Sequence, residues 1–166
     1  MRCWRTTPWK IPHRHKGRGL AGLRGAPYGA GKSEKGQIMT HEFPVQVYYE
    51  DTDMGGIVYH ANYLRYIERA RSDWVRKLGN DQNAMRDAGL IWVVQRIEAD
   101  YLAPAKFEDE LMVETEVEKL TGARLTMRQL VRRGDTPLFK AVVTAVCVTA
   151  ADGRPTRLPA EIRASL

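Results

Sequence analysis

The sequence is poor in cysteine and has no long apolar run. Only Cys3 and Cys147 occur among 166 residues. One such pair is too little for the disulfide framework of a small secreted domain, so a reducing compartment is expected. No apolar stretch approaches the roughly 20 residues that cross a bilayer, and no apolar signal core follows the basic start. These absences predict a cytoplasmic protein without a membrane span.

Several well-known site motifs are also missing. There is no Cys/His set with zinc spacing, no glycine-rich phosphate loop ending in Lys-Ser/Thr, and no Gly-x-Ser-x-Gly turn. The run that begins at Asp51 resembles a calcium-binding loop, but its fifth position is Gly55 and its twelfth is Asn62. A calcium-binding loop needs Asp or Asn at the fifth position and a bidentate Glu at the twelfth. We therefore expect neither a metal ion nor a cofactor.

Acidic residues are nearly absent from the first part of the chain. Residues 1–38 contain nine Lys and Arg and one acid, Glu34, whereas residues 39–166 contain seventeen Lys and Arg and nineteen acids. We predict a basic N-terminal extension of low order over 1–38 and a folded domain over 39–166. The extension fits a transit peptide, a basic tether, or a start assigned upstream of Met39. The charge of the domain itself gives no reason to expect nucleic acid as a partner.

Hydrophobic periodicity predicts one strand and one long helix in the first half of this domain. Apolar residues alternate over 41–49, which indicates a strand. Residues 50–56 are typical of a loop. Over 61–78 an apolar stripe recurs at helical spacing, and Gly79 stands where a helix C-terminus is expected. The stripe consists of Tyr63, Tyr66, Ile67, Ala70, Trp74 and Leu78.

The second half of the domain is predicted to be strands joined by short turns. A short helix is expected over 82–88, then strands over 90–101, 111–117, 125–132 and 138–149, followed by an irregular tail marked by Pro155 and Pro159. Successive strands with tight connections pair antiparallel. One long helix against one antiparallel sheet is an α+β fold, with the sheet wrapped around the helix.

The junction of the first strand and the long helix has the chemistry of a catalytic site. Asp53 precedes Gly55 and Gly56, and these glycines allow close approach to the backbone. The first N–H groups of a helix have no internal partner and carry a partial positive charge, so those near Tyr59 and His60 could polarise a carbonyl. Asp53 could then act as nucleophile or general base. Asp51 is expected to cap loop N–H groups.

Other side chains at the junction have more than one interpretation. His60 fits a base, an orienting donor or a packing residue. Asn62 fits a cap or a loop hydrogen bond. Tyr59 and Tyr63 fit an acyl pocket or the core.

The same residues resemble a known family. The pattern Asp-x-Asp-x-x-Gly-x-Val-Tyr-His-x-Asn-Tyr, residues 51–63, is similar to that of the 4-hydroxybenzoyl-CoA thioesterase family of hotdog-fold proteins, and most like its Tol-Pal-associated acyl-CoA thioesterases. Further matches lie at residues 68–71 and at Tyr-Leu-Ala-Pro-Ala, residues 101–105. The resemblance spans about residues 45–157 and leaves the basic extension uncovered.

This resemblance implies an acyl-CoA thioesterase of the hotdog fold, assembled as a homodimer or homotetramer with active sites at subunit interfaces. It assigns the catalytic aspartate to Asp53 and the carbonyl-binding backbone N–H to the region of His60. The CoA phosphates would meet basic side chains, for which Arg124 and Arg128 are our candidates. Coenzyme A is then part of the substrate.

Two other functions remain open at this point. A hydratase or dehydratase would need a histidine base and a helix acid, but His60 and Glu68 are separated by about 12 Å of helix rise. A binding module without catalysis would hold acyl-CoA or an acyl carrier without turnover.

Overall fold

A computed structural model describes residues 40–166, so the predicted basic extension and its boundary lie outside the described residues. Within the described range the order of elements is strand, helices, then four strands, as predicted. The elements are β1 (His41–Gln46), a turn of 3-10 helix (Tyr49–Asp51), α1 (His60–Lys77), α2 (Gln82–Asp87), β2 (Leu90–Tyr101), β3 (Glu110–Leu120), β4 (Arg124–Arg133), β5 (Thr136–Thr149) and α3 (Ala160–Ser165).

The five strands form one antiparallel sheet in the order β1-β3-β4-β5-β2. The three strands connected by tight turns, β3, β4 and β5, lie in the centre. The connection through α1 and α2 carries the chain from β1 at one edge to β2 at the other. The beginning of α1 lies beside the end of β2, where Tyr101 contacts His60, and the last turns of α1 lie beside the start of β1, where His41 contacts Asp73.

Helix α1 buries the predicted stripe against the sheet. Tyr66, Ile67 and Ala70 are fully buried, and Tyr63 and Trp74 nearly so. Burying each large apolar side chain stabilises the fold by about 1.5–3 kcal/mol. The helix ends as the sequence predicts, because Gly79 has φ +79° and its N–H donates to Arg76, while Asn80 donates back to Val75.

Two parts of the secondary-structure prediction are wrong. The first strand stops at Gln46 rather than continuing to Tyr49, because the Asp51 carboxylate accepts the Tyr48 N–H and turns the chain into a 3-10 turn. The tail is not wholly irregular, since α3 forms after Pro159. The tail packs through Leu158 against Met85 and Cys147.

No helix within residues 40–166 has the length and apolarity needed to cross a membrane.

Candidate active site

The loop between β1 and α1 folds into a tight hairpin that presents Asp53. Thr52 pairs with Val58, and the Asp53 N–H donates to the Ile57 carbonyl over 2.9 Å. Gly56 closes the turn with φ +70°, a conformation that favours glycine, and its N–H donates to the Asp53 carbonyl. The backbone of Asp53 is thus fixed on both sides.

The Asp53 side chain is exposed and faces an open cleft of about 450 Å³. Its Oδ1 accepts the Gly55 N–H over 2.8 Å. Its other oxygen accepts no hydrogen bond from the described residues, which leaves it available to a ligand or to water. The cleft is lined by Asp53, Ile57, Val58, His60, Tyr63, Tyr101, Leu102, Ala103 and Pro104.

The first residue of α1, His60, lines the same cleft, and its backbone N–H is free within residues 40–166. The Tyr59 N–H is already used, because it donates to the Asp51 carbonyl over 2.8 Å. The His60 N–H finds no acceptor among the described residues. The sequence pointed to N–H groups near both residues, and of these two only the His60 N–H is without an acceptor among the described residues. This donor carries the partial positive charge of an 18-residue helix.

A buried polar framework stands behind the loop. The Asp51 carboxylate accepts the Tyr48 N–H, and the Asp51 carbonyl accepts both the Tyr59 N–H and the side-chain amide of Asn62. Burial and the neighbouring Asp51 carboxylate raise the pKa of Tyr66. Asp51 and Asn62 are buried, hold the loop to the start of α1, and are not among the residues that line the cleft.

Aromatic rings form one wall of the cleft. The Tyr63 ring stacks on Phe139 with centroids 5.2 Å apart, and the Tyr101 ring meets Phe139 edge-on at 5.0 Å. The Tyr63 hydroxyl is buried and accepts the Ala105 N–H, and this burial raises its pKa. Tyr63 thus belongs to the core as well as to the cleft. The Tyr59 ring lies against the His60 ring, outside the lining.

Six of the nine lining residues were not among the predicted site residues, and Tyr101 is the one of these whose side chain contacts His60. It is separated from His60 by 41 positions, and its hydroxyl donates to the His60 carbonyl over 3.1 Å. Residue spacing could not reveal this contact, because it depends on where the end of β2 lies in the sheet. The motif at residues 101–105 was the only signal in the sequence.

The two candidate phosphate-binding arginines do not reach the cleft of this chain. Arg124 and Arg128 are exposed, and they alternate with the buried β4 residues Leu125 and Met127. They therefore lie on the sheet face turned away from α1. Arg128 pairs with Glu118 over 3.1 Å.

The acid required for hydratase chemistry also lies elsewhere. Glu68 accepts the Ser72 hydroxyl and lines a separate pocket beside Trp92, whereas His60 lines the Asp53 cleft. Residues 40–166 contain no cluster of three or more side chains suited to hold a metal ion.

Comparison with known proteins gives a consistent match. A family model described as the thioesterase-like superfamily matches residues 47–166. The acyl-CoA thioesterase YbgC of Haemophilus influenzae is 44% identical over 124 residues, which cover 74% of this chain and 91% of that protein. The acyl-CoA thioester hydrolase YbgC of Escherichia coli is 40% identical over 121 residues, covering 72% and 90%.

A solved structure shows the same fold. The probable thioesterase from Bartonella henselae superposes with a TM-score of 0.69 at 35% identity. The match covers 73% of this chain and all of that one. An antiparallel sheet wrapped around one long helix is thus the architecture of this chain and of its thioesterase relative.

Proposed function

Because this chain belongs to the thioesterase-like superfamily, we propose that it hydrolyses the thioester bond of an acyl-CoA to give a free acid and CoA. The observation that carries the proposal is that one cleft is lined both by Asp53, which has an exposed carboxylate, and by His60, whose N–H has no acceptor among the described residues. Further support comes from the two relatives named for acyl-CoA hydrolysis, which match over most of their length.

In this proposal the His60 N–H receives the thioester oxygen. That oxygen gains negative charge as a nucleophile adds to the carbonyl carbon, and a fixed donor stabilises the charge without reorganising. One such donor contributes about 3–4 kcal/mol to transition-state stabilisation. The partial positive charge at the start of α1 acts in the same direction.

Asp53 supplies the attacking group by one of two routes. In the first, its free carboxylate oxygen adds to the carbonyl, CoA thiolate leaves, and water then hydrolyses the mixed anhydride. In the second, the carboxylate takes a proton from a water molecule that attacks directly. The first route predicts a burst of thiol release, up to one per site, whenever anhydride hydrolysis is the slower step. Neither route calls for a cofactor.

We further propose that the enzyme is a homodimer or homotetramer that pairs through β2. This strand is one of the two edges of the sheet, is twelve residues long, and exposes apolar side chains at Val93, Val94 and Ile97. A long apolar edge is a template for pairing with another strand. In such an assembly Arg124 and Arg128 could reach the CoA phosphates only in a partner's site. Light scattering on the protein as it elutes from a size-exclusion column would give the mass of the assembly.

The free and buried thiol of Cys147 agrees with the cytoplasmic location that we propose.

A thiol-release screen tests the proposed activity. Purified protein is offered short aliphatic, long aliphatic and aromatic CoA esters, and liberated CoA is measured with a thiol reagent. We expect saturable release with at least one ester. Tight binding of all esters without release would instead indicate a binding module. Loss of the enoyl absorbance of crotonyl-CoA without thiol release would indicate a hydratase.

A further inference from the structure

Three hydrogen bonds join residues 101–105, at the end of β2, to the rest of the site: one to the loop between β1 and α1, and two to α1. The Val58 N–H donates to the Ala105 carbonyl over 2.8 Å, and the Ala105 N–H donates to the Tyr63 hydroxyl over 2.9 Å. The Tyr101 hydroxyl donates to the His60 carbonyl over 3.1 Å. Of these three contacts, only the last is made by an exposed side chain that also lines the cleft.

The ring of Tyr101 is held in place from behind. It meets Phe139 at 5.0 Å and Tyr63 at 5.7 Å, both edge-on. Half of the side chain remains exposed, towards the cleft. Because the ring is fixed in this way, its hydroxyl is held against the carbonyl of His60, the first residue of α1. The hydrogen bond thus joins the last residue of β2 to the first residue of the helix across the cleft.

This contact acts on the residue that matters most for the proposed reaction. The first residue of a helix lacks the N–H hydrogen bond that restrains residues further along. At His60 the N–H must stay free for the substrate, so the first turn of α1 has to be restrained through the carbonyls of Tyr59 and His60. Two hydrogen bonds hold neighbouring groups, since Tyr59 donates to Asp51 and Asn62 donates to the Tyr59 carbonyl. They hold the peptide units on either side of Tyr59, whereas the Tyr101 hydroxyl holds the next unit, between His60 and Ala61, from the cleft side.

We propose that Tyr101 is a positioning residue for thioester hydrolysis. Its hydroxyl holds the peptide unit between His60 and Ala61, and this limits the rotation of the preceding peptide unit, whose His60 N–H receives the thioester oxygen. The proposal rests on the proposed function. It goes beyond it by giving a role in catalysis to a hydroxyl at the end of β2. Misplacing a catalytic group by about 1 Å can lower a rate by up to about 100-fold.

The alternative is that Tyr101 acts only as a wall that contacts the acyl group. Tyr101→Phe separates the two roles, because phenylalanine keeps the ring and loses the hydrogen bond. If Tyr101 acts only as a wall, Tyr101→Phe should keep the wild-type kcat, and its KM should be unchanged or slightly altered. Positioning predicts that kcat falls about tenfold while KM stays within about twofold, because binding is retained and the transition state is destabilised.

Tyr48→Phe is the matched control. Tyr48 is exposed, and no described residue accepts a hydrogen bond from its hydroxyl. The three proteins are compared by steady-state kinetics on the best ester from the screen, and by amide hydrogen exchange at His60 and Ala61. We expect wild-type kinetics and exchange from Tyr48→Phe, and a lower kcat with faster exchange at both amides from Tyr101→Phe.

Equal kcat in all three proteins would overturn the positioning role while leaving the thioesterase proposal intact. So would a Tyr101→Phe variant whose only defect is a higher KM. If the unmodified protein releases no thiol, the proposed function fails, and the role of Tyr101 in hydrolysis fails with it. The exchange rates then still decide whether the hydroxyl restrains the helix start: faster exchange supports that restraint, and unchanged exchange removes it.

Discussion

The side-chain amide of Asn62 donates to the backbone carbonyl of Asp51 over 2.9 Å. The same carbonyl accepts the Tyr59 N–H, so one oxygen binds the 3-10 turn to the start of α1 twice. The relationship explains why a polar side chain lies buried on the first turn of the helix. It also uses the Tyr59 N–H, whereas the N–H of His60, the next residue, has no acceptor among the described residues.

Asn62→Asp should loosen this junction. The substitution keeps the acceptor that binds Arg65 and replaces the buried amide donor by an oxygen facing another oxygen. We expect the free energy of unfolding to fall by about 1–3 kcal/mol, and kcat to fall because the helix start shifts. Urea unfolding and thiol-release kinetics measure the two effects. Asn83→Asp, an exposed control on α2, should change neither, and an unaffected Asn62→Asp would contradict this role of the amide.

Gly55→Ala should disturb the Asp53 carboxylate without straining the backbone. A Cβ at Gly55 would lie 3.0 Å from Asp53 Oδ1, closer than an ordinary contact. The carboxylate must therefore turn away, and a misdirected carboxylate should lower kcat about tenfold. Stability should change by less than about 1 kcal/mol at this exposed site. Gly122→Ala, whose added Cβ would meet Arg157 at an ordinary 3.7 Å, is the control. Equal rates in both variants would remove the proposed steric link.

The sequence predicted the scaffold of this site because its signals are local. The stripe from Tyr63 to Trp74 identifies the face of α1 that the sheet must cover, and Gly79 marks its end. The loop that carries Asp53 was predicted from its two glycines beside an acid, although its hairpin form was not. Such features depend on neighbours in sequence, so periodicity and turn chemistry reveal them.

Contacts between distant segments escaped prediction. Tyr101 reaches His60 only because the sheet order brings the end of β2 to the start of α1. Arg124 and Arg128 were chosen as basic residues near a turn, but strand alternation turns them to the face away from α1. The helix α3 follows Pro159 and is anchored by tertiary packing of a short apolar tail. None of these relationships has a signature within a few residues.

His41 should make stability depend on pH. Its side chain is 10% exposed and lies 3.1 Å from Asp73, which also pairs with Lys77. Burial and the nearby Lys77 charge lower the pKa of His41 from its ordinary 6.5, against the opposing effect of Asp73. The unfolded chain then binds the proton more readily, so stability should fall as pH decreases from about 6.5.

Urea unfolding between pH 7.5 and 5 measures this effect. His41→Asn should show a flatter pH profile in that range, because the titrating group is gone. The Asp73 carboxyl, whose pKa is lowered chiefly by its hydrogen bond to Lys77 against the opposing effect of burial, contributes stability that is lost only below its ordinary 3.8. Its titration therefore leaves the His41 range clear. Identical slopes for wild type and His41→Asn would contradict the assignment.

Gln129 on β4 should be important for stability although it does not line the cleft. Its buried amide donates to the Ile67 carbonyl and the Thr115 hydroxyl, and its oxygen accepts from Arg71 over 2.7 Å. Gln129→Met keeps the volume but leaves these buried groups unpaired, which should cost about 1–3 kcal/mol. The exposed control Gln82→Met should stay within about 0.5 kcal/mol of wild type. Equal unfolding midpoints for both variants would show that the network contributes nothing net.

The most direct measurement is the rate of thiol release by Asp53→Asn, compared with wild type and with Asp87→Asn, which changes an exposed acid on α2. Asparagine can still accept the Gly55 N–H through its side-chain oxygen, so the loop and the free energy of unfolding should be retained. We predict that kcat/KM falls by at least about 100-fold in Asp53→Asn and is unchanged in Asp87→Asn. A folded Asp53→Asn protein that releases CoA at the wild-type rate would contradict the proposed function of this cleft.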